Sequence, residues 1–295
     1  MRPLPLAQAL RESLANGSLL VAPGVYDAYT ARIVESLGFH ALYLGGNALG
    51  LHLGVGQPFV TLSETAEVVH RIGRGSSVPL IVDAGAGFGD AAHAAGAMNA
   101  LAHAGAAAVH IDDQIYPKRA HYHRGRGRLA DPRETAGKLR AMREAQPNGP
   151  VLIARTDALR TSGSLDAALE RCARFAEAGA EAVMVLDLGL EGAAAIAKSL
   201  SVPLVWIGGI AEPVPTAAQL EAAGFALALY PFNTIGAVTE AVTTTWRGFS
   251  ANGCPAVPAR PSSQTAAAAL GLIGMDTAWR IERATTEPEP LVGQD

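Results

Sequence analysis

Eight short apolar runs, each separated from the next by a longer stretch, constrain this chain more than any other feature. They are LLVA at 19–22, ALYLGG at 41–46, PLIVDAG at 79–85, AAVHIDD at 107–113, VLIARTD at 151–157, AVMVLD at 182–187, PLVWIGG at 203–209 and ALALYP at 226–231. Within each run the apolar residues follow one another instead of alternating with polar ones, the pattern of a parallel strand buried on both faces. Helical patterns fill the intervals at 27–37, 61–73, 90–104, 131–145 and 163–178. Several carry start signals: Thr61 with Glu64 three residues on, Asp131 before Pro132, and Ser164 before Leu165. The alternation predicts an α/β chain, a (β/α)8 TIM-type barrel over residues 1–250, in preference to an open doubly wound sheet. GAGFG at 85–89 lacks the spacing and context of a dinucleotide fingerprint.

The segment 251–295 reads differently. Pro255, Pro258 and Pro261 make a stiff arm. Beyond it a helical segment over 263–284 carries Leu270, Leu272, Ile273, Trp279 and Ile281, apolar enough to need a partner surface on its own barrel or on another subunit. A frayed acidic end, TEPEPLVGQD, follows.

Composition closes off several classes. With 295 residues, 49% of them hydrophobic, the chain can bury a large core. Its 23 basic and 27 acidic residues give a formal charge of −4, which offers no electrostatic case for nucleic acid. No run of about 18 uncharged apolar residues is present, so no membrane span is expected. Arg11 and Glu12 stand where a secretion signal would need an apolar core. Cys172 and Cys254 form neither a ligand pair nor a disulfide framework, and the expected compartment is the reducing cytoplasm.

In a barrel of this kind the strand ends converge on the C-terminal face, where chemistry sits. Strand two delivers Tyr43, Gly45, Gly46 and Asn47, with glycines that let backbone amides approach an anion, or that simply make a tight turn. Strand three delivers Asp83; strand four His110, Asp112 and Asp113; strand five Arg155 and Asp157; strand six Asp187. Carboxylates facing one another across the mouth suit Mg²⁺ or Mn²⁺, which takes one or two of them and keeps waters for substrate. Arg155 suits a two-pronged grip on a substrate carboxylate, or else an ion pair with Asp157 or Asp113. His110 is either a substrate-binding group or a structural donor to a neighbouring carboxylate. After strand four comes a cationic loop with Lys118, Arg119, His121, Tyr122 and His123, flanked by Pro117 and by glycines at 125 and 127, a candidate lid.

Several segments, in order, resemble the isocitrate lyase / phosphoenolpyruvate mutase superfamily and its short methylisocitrate lyase-like members. VYDAYTARIVESLGFHALYLGG is similar to the family's opening helix and anion-cradling strand end, LIVDAGAGFGDA to its metal motif DADTGYG, VHIDDQIYPKRAHYH to HIEDQ…PKRCGH, LIARTDAL to its arginine strand and FALALYP to its eighth strand. The resemblance implies a barrel whose last helix is swapped between subunits of a homodimer or homotetramer. It also marks departures: Gly85 for the second metal-motif aspartate, Gly45 for a serine, Gln57 for an aspartate, Asp112 for a glutamate, Ala120 for the loop cysteine, His121 for a glycine and Leu186 for a glutamate. Asp83, His110, Lys118, Arg119 and Arg155 are retained.

The resemblance implies a Mg²⁺-dependent carbon–carbon lyase acting on a small 2-hydroxy or 2-oxo di- or tricarboxylate through an enolate. The metal is expected on Asp83 directly and on Asp112 and Asp113 through water. Arg155, His110 and the Gly45, Gly46 and Asn47 turn would bind substrate, Lys118 and Arg119 would close over it, and Tyr43, His121 or His123 would move the proton. The alternatives are an oxaloacetate decarboxylase or phosphonopyruvate hydrolase or mutase type of enzyme, and a non-catalytic carboxylate-binding barrel.

Overall fold

The computed structural model describes residues 3–124, 127–256 and 262–286. The strands are β1 (Leu20–Pro23), β2 (Leu42–Leu44), β3 (Leu80–Asp83), β4 (Ala108–Asp112), β5 (Val151–Thr156), β6 (Ala182–Val185), β7 (Leu204–Ile207) and β8 (Phe225–Tyr230). They form one parallel sheet in the order β1-β8-β7-β6-β5-β4-β3-β2. A parallel bridge from Gly24 to Tyr43, with Val25 N–H donating to Tyr43 O at 2.8 Å, brings the two edge strands together. The eight expected runs are therefore the eight strands of a TIM-type barrel.

The helices are α1 (Pro3–Ala15), α2 (Ala28–Ser36), α3 (Gly46–Leu53), α4 (Leu62–Gly75), α5 (Ala91–Ala104), α6 (Pro132–Ala145), α7 (Ala158–Ser162), α8 (Leu165–Glu177), α9 (Leu190–Ser199), α10 (Ala217–Ala222), α11 (Asn233–Asn252), α12 (Ser262–Leu272) and α13 (Met275–Thr285). Their starts follow the sequence. Thr61 caps α4 reciprocally with Glu64, Asp131 caps α6 ahead of Pro132, and Ser164 caps α8.

Strand side chains alternate between two environments. Ala22, Tyr43, Ile81, Ala108, Ile153, Met184, Val205 and Leu229 pack together inside the barrel, while Val82, Val109, Leu152 and Ala154 pack outward against helices. Leu10 and Leu14, four residues apart on α1, join the interior cluster. Arg11 on the same helix donates to Glu181 at 2.5 and 3.1 Å. The amino-terminal helix thus belongs to the barrel's core, a role its short apolar pattern did not announce.

Contacts divide the chain into two compact units, Met1–Gly236 and Ala237–Asp295. The division falls inside α11, ahead of residue 250, and that helix runs unbroken to Asn252. The helical segment expected over 263–284 is two helices. Gly274, at φ 85°, takes the left-handed conformation that glycine adopts cheaply, and the chain turns there. Pro258 and Pro261 lie outside the described residues. Among the described residues no helix is long and apolar enough to cross a membrane.

Candidate active site

The inner faces of β2 to β5 end in polar side chains on two successive levels. Asp83 pairs in register with His110, and Asp112 with Arg155. Because alternate residues face inward, Tyr43, Asp83, His110, Asp112 and Arg155 all belong to the interior side. All five are buried.

Asp83 is braced by three donors. Its Oδ1 accepts from Gly85 N–H at 2.8 Å, and its Oδ2 accepts from Gly46 N–H at 3.0 Å and Gln57 Nε2 at 3.3 Å. Burial alone would raise this carboxyl. The charges of His110, Lys118 and Arg155 and the Gly85 amide outweigh it and hold the pKa down at about 2. Gly46 has no room for a side chain, since a Cβ there would lie 2.4 Å from Gln57 Nε2 and 3.0 Å from Asp83 Oδ2. The glycine turn expected to cradle a substrate anion instead gives its Gly46 amide to Asp83. Gly45 is buried as the residue capping α3, and Asn47 is exposed.

Tyr43 and His110 form a second pair, with Oη and Nε2 2.8 Å apart. Burial raises the Tyr43 phenol well above its usual value and lowers His110, despite the pull of Asp83 on the imidazole. His110 Nδ1 is buried with no hydrogen-bond partner among the described residues.

The cationic loop folds back over the mouth. Lys118 Nζ donates to Asp112 Oδ2 at 2.7 Å, and both side chains are buried. A cleft beside them is lined by Gly46, Gln57, Asp83, Gly85, Tyr116 and Lys118. Two other expected loop groups do not reach the site: Arg119 and His121 are exposed. The His123 side chain lies outside the described residues.

Asp113 corrects the expected ligand set. Its Oδ2 accepts from Thr156 Oγ1 at 2.6 Å and Arg171 Nη1 at 3.0 Å, and its Oδ1 from Asp157 N–H at 3.0 Å. Consecutive strand residues face opposite sides, so Asp113 cannot share a site with Asp112. Burial pushes its carboxyl up to about 6 against the pull of those donors. Among the described residues no group of three His, Cys, Asp or Glu side chains could hold a metal ion.

A smaller set of oxygens does fit a divalent cation. Asp83 Oδ1 accepts the Gly85 N–H and keeps lone-pair capacity. Beside it, Gln57 Oε1 is buried without a partner among the described residues, an orphan hard oxygen in the wall of the cleft. One carboxylate, one amide oxygen and waters form a donor set of the kind Mg²⁺ accepts.

Arg155 is held from two sides. Its Nε and Nη2 donate to Asp157 at 2.8 and 3.1 Å, and Nη2 also donates to the Tyr122 hydroxyl. The ion pair with Asp157, two residues along the same strand face, is one of the partners the sequence allowed. Tyr122 was not anticipated as a site residue. Its ring lies 4.8 Å below Lys118 Nζ, and its oxygen is 3.5 Å from Arg160 Nη1. Arg160 in turn grips Asp187 at 2.5 and 2.7 Å, with Asp187 in a left-handed conformation at φ 64°. No local spacing in the sequence signals this placement, since Lys118 lies ahead of the 3₁₀ turn Ala120–Arg124 that carries Tyr122.

Comparison with known proteins gives one direction. The family model described as phosphoenolpyruvate phosphomutase matches residues 10–249. The chain is 34% identical over 250 residues to 2,3-dimethylmalate lyase of Eubacterium barkeri, covering 81% of this chain and 84% of that one. It is 35% identical over 244 residues to 2-methylisocitrate lyase of Aeropyrum pernix, covering 81% and 78%. The structure of phosphonopyruvate hydrolase in complex with oxalate and Mg²⁺ superimposes with a TM-score of 0.83 at 27% identity, covering 95% of this chain and 98% of that one.

Proposed function

The chain belongs to the phosphoenolpyruvate mutase / isocitrate lyase superfamily of lyases and mutases, and from that premise we propose that it is a carbon–carbon lyase acting on a small 2-hydroxy or 2-oxo di- or tricarboxylate through an enolate. The observation that carries this reading is the convergence of Asp83, Asp112 and Arg155 at the inner ends of β3, β4 and β5, with Lys118 of the loop bonded to Asp112. Such a mouth offers fixed positive charge to a polyanionic substrate and excludes water when closed.

Arg155 binds a substrate carboxylate through the part of its guanidinium that Asp157 leaves open, and Asp157 fixes the plane of that group. Lys118, positioned by Asp112, offsets negative charge growing on the substrate oxygen. Asp83 and Gln57 Oε1 are the groups that would hold a Mg²⁺ or Mn²⁺ ion. Such an ion, when bound, polarises the substrate carbonyl or hydroxyl oxygen and stabilises enolate charge. His110, bonded to Tyr43, supports the floor of the site.

Incubation with a panel of 2-hydroxy and 2-oxo di- and tricarboxylates in the presence of MgCl2, followed by proton NMR, tests the reading. Two carbon fragments, one of them a 2-oxo acid, are expected from the true substrate. Release of CO2 from oxaloacetate, or of phosphate from phosphonopyruvate, without such cleavage would favour the decarboxylase or hydrolase reading, which the likeness to phosphonopyruvate hydrolase supports. The assembly expected is a homodimer or homotetramer.

A further inference from the structure

Carbon–carbon cleavage next to a carboxylate leaves a carbanion that needs a proton, and the loop has no cysteine to supply one: Ala120 stands there. Two of the groups the sequence offered in its place do not suit the task. Tyr43 is buried at the floor, bonded to His110, and burial makes its phenol a weaker acid. His121 is exposed.

Tyr122 is placed differently. It is carried by the 3₁₀ turn Ala120–Arg124 and is 7% exposed. Its ring packs under Lys118, and its hydroxyl oxygen accepts from Arg155 Nη2. A carboxylate gripped by the open side of Arg155 therefore sits on the same guanidinium that holds the Tyr122 hydroxyl. In an enolate formed beside that carboxylate, the carbanion carbon is only one or two bonds from the gripped group. A second guanidinium, that of Arg160, stands 3.5 Å from the same oxygen and is itself anchored by Asp187. Two cationic groups are thus already aimed at the atom on which charge appears when the proton leaves.

We propose that Tyr122 is the proton donor of this enzyme, giving its phenol proton to the carbanion carbon of the enolate when the loop is closed. The step forms a C–H bond and breaks the phenol O–H bond. The O–H electron pair stays on the tyrosine oxygen between Arg155 and Arg160, and water returns a proton after product leaves. The proposal rests on the enolate reading above.

The test is exchange of carbon-bound protons in D2O, followed by NMR, with pyruvate, 2-oxobutyrate and succinate as probes and MgCl2 present. The wild-type chain is expected to exchange at least one of them. Tyr122→Phe, which keeps the ring under Lys118, should slow that exchange at least about 100-fold, in line with the usual weight of a general acid. Its oxalate affinity, read by calorimetry, should stay within about threefold, because the Arg155 grip and the fold are kept. Exchange by Tyr122→Phe within threefold of wild type would overturn the assignment. Loss of oxalate binding in step with exchange would also overturn it, since the hydroxyl would then only orient Arg155. Absence of exchange of every probe by the wild-type chain would instead overturn the enolate reading, and the assignment with it.

Discussion

Lys118 Nζ sits 2.7 Å from Asp112 Oδ2, joining the loop over the mouth to the end of β4 through a pair of buried charges. The two ends of this contact are not equivalent. Asp112 is fixed on a strand, whereas Lys118 can leave with its loop and regain water. Removing the carboxylate should therefore open the loop more than it unfolds the barrel. Asp112→Asn is expected to lower global stability by no more than about 2 kcal/mol, below the usual cost of stranding a core charge. Trypsin should cut at Lys118 or Arg119 at least tenfold faster than in the wild type. An unchanged cleavage pattern would show that the ion pair does not hold the loop.

At the opposite wall, Gly46 has no space for a methyl group between Gln57 and Asp83. Gly46→Ala must push the Gln57 amide away or shift Asp83. Overpacking of this kind costs about 1–3 kcal/mol. Turnover should fall by at least tenfold, because the displaced groups are those that line the cleft. A variant with wild-type kcat and KM would mean that the wall plays no part in catalysis.

The barrel could be read from the chain because its signals are local and redundant. The apolar runs gave the strands, and Thr61, Asp131 and Ser164 gave helix starts that the structure keeps. Asp83, His110 and Arg155 were readable for the same reason, since a polar residue closing an apolar run faces the barrel mouth. Asp113 shows where the reading overreached: strand alternation alone sends it to the opposite side from Asp112. Other features depend on distant partners. Arg119 and Lys118 are neighbours in sequence, yet one is exposed and the other buried, and only the position of Asp112 decides between them. Tyr122 became visible only when the loop's fold brought it to Arg155. The glycine turn at Gly45 and Gly46 pointed to anion binding, but nothing local revealed that the anion would be Asp83.

Metal binding can be separated from turnover. Calorimetric titration of the wild-type chain with MgCl2 or MnCl2 is expected to show one site per chain. Asp83→Asn should weaken it at least tenfold, and Gln57→Leu should weaken it by a smaller factor, since an amide oxygen is the poorer of the two donors. Equal binding by wild type and Asp83→Asn would remove Asp83 from the site.

Glu181 supplies a pH-dependent brace at the far end of the barrel. It accepts from Arg11, Arg143 and Leu152 N–H. Burial would raise its carboxyl, but the Arg11 hydrogen bond, the charges of Arg143 and Arg11, and the Leu152 amide hold it below the ordinary 4.5. A depressed folded pKa means that the unfolded chain binds the proton more readily. The stabilisation is therefore present above about pH 4.5 and is lost as pH falls through the folded value. Glu181→Gln is expected to cost about 1–3 kcal/mol at pH 7. It should also flatten the acid limb of a plot of urea midpoint against pH; a parallel limb in the variant would assign the acid sensitivity elsewhere.

The helix α11 carries Val238, Val242, Trp246 and Phe249 at 39, 53, 58 and 47% exposure. Their spacing of four, four and three residues puts them on one face of the helix. A continuous apolar stripe of this kind is a surface for association, and closed homo-oligomers are the usual outcome for a single chain type. The expectation is a dimer or tetramer in solution that depends on this stripe. Trp246→Ser with Phe249→Ser should lower the mass measured by light scattering toward that of one chain. The barrel's far-ultraviolet circular dichroism should be unchanged, because both side chains are exposed. A wild-type chain that is already monomeric at micromolar concentration, or a double variant with wild-type mass, would count against assembly through α11.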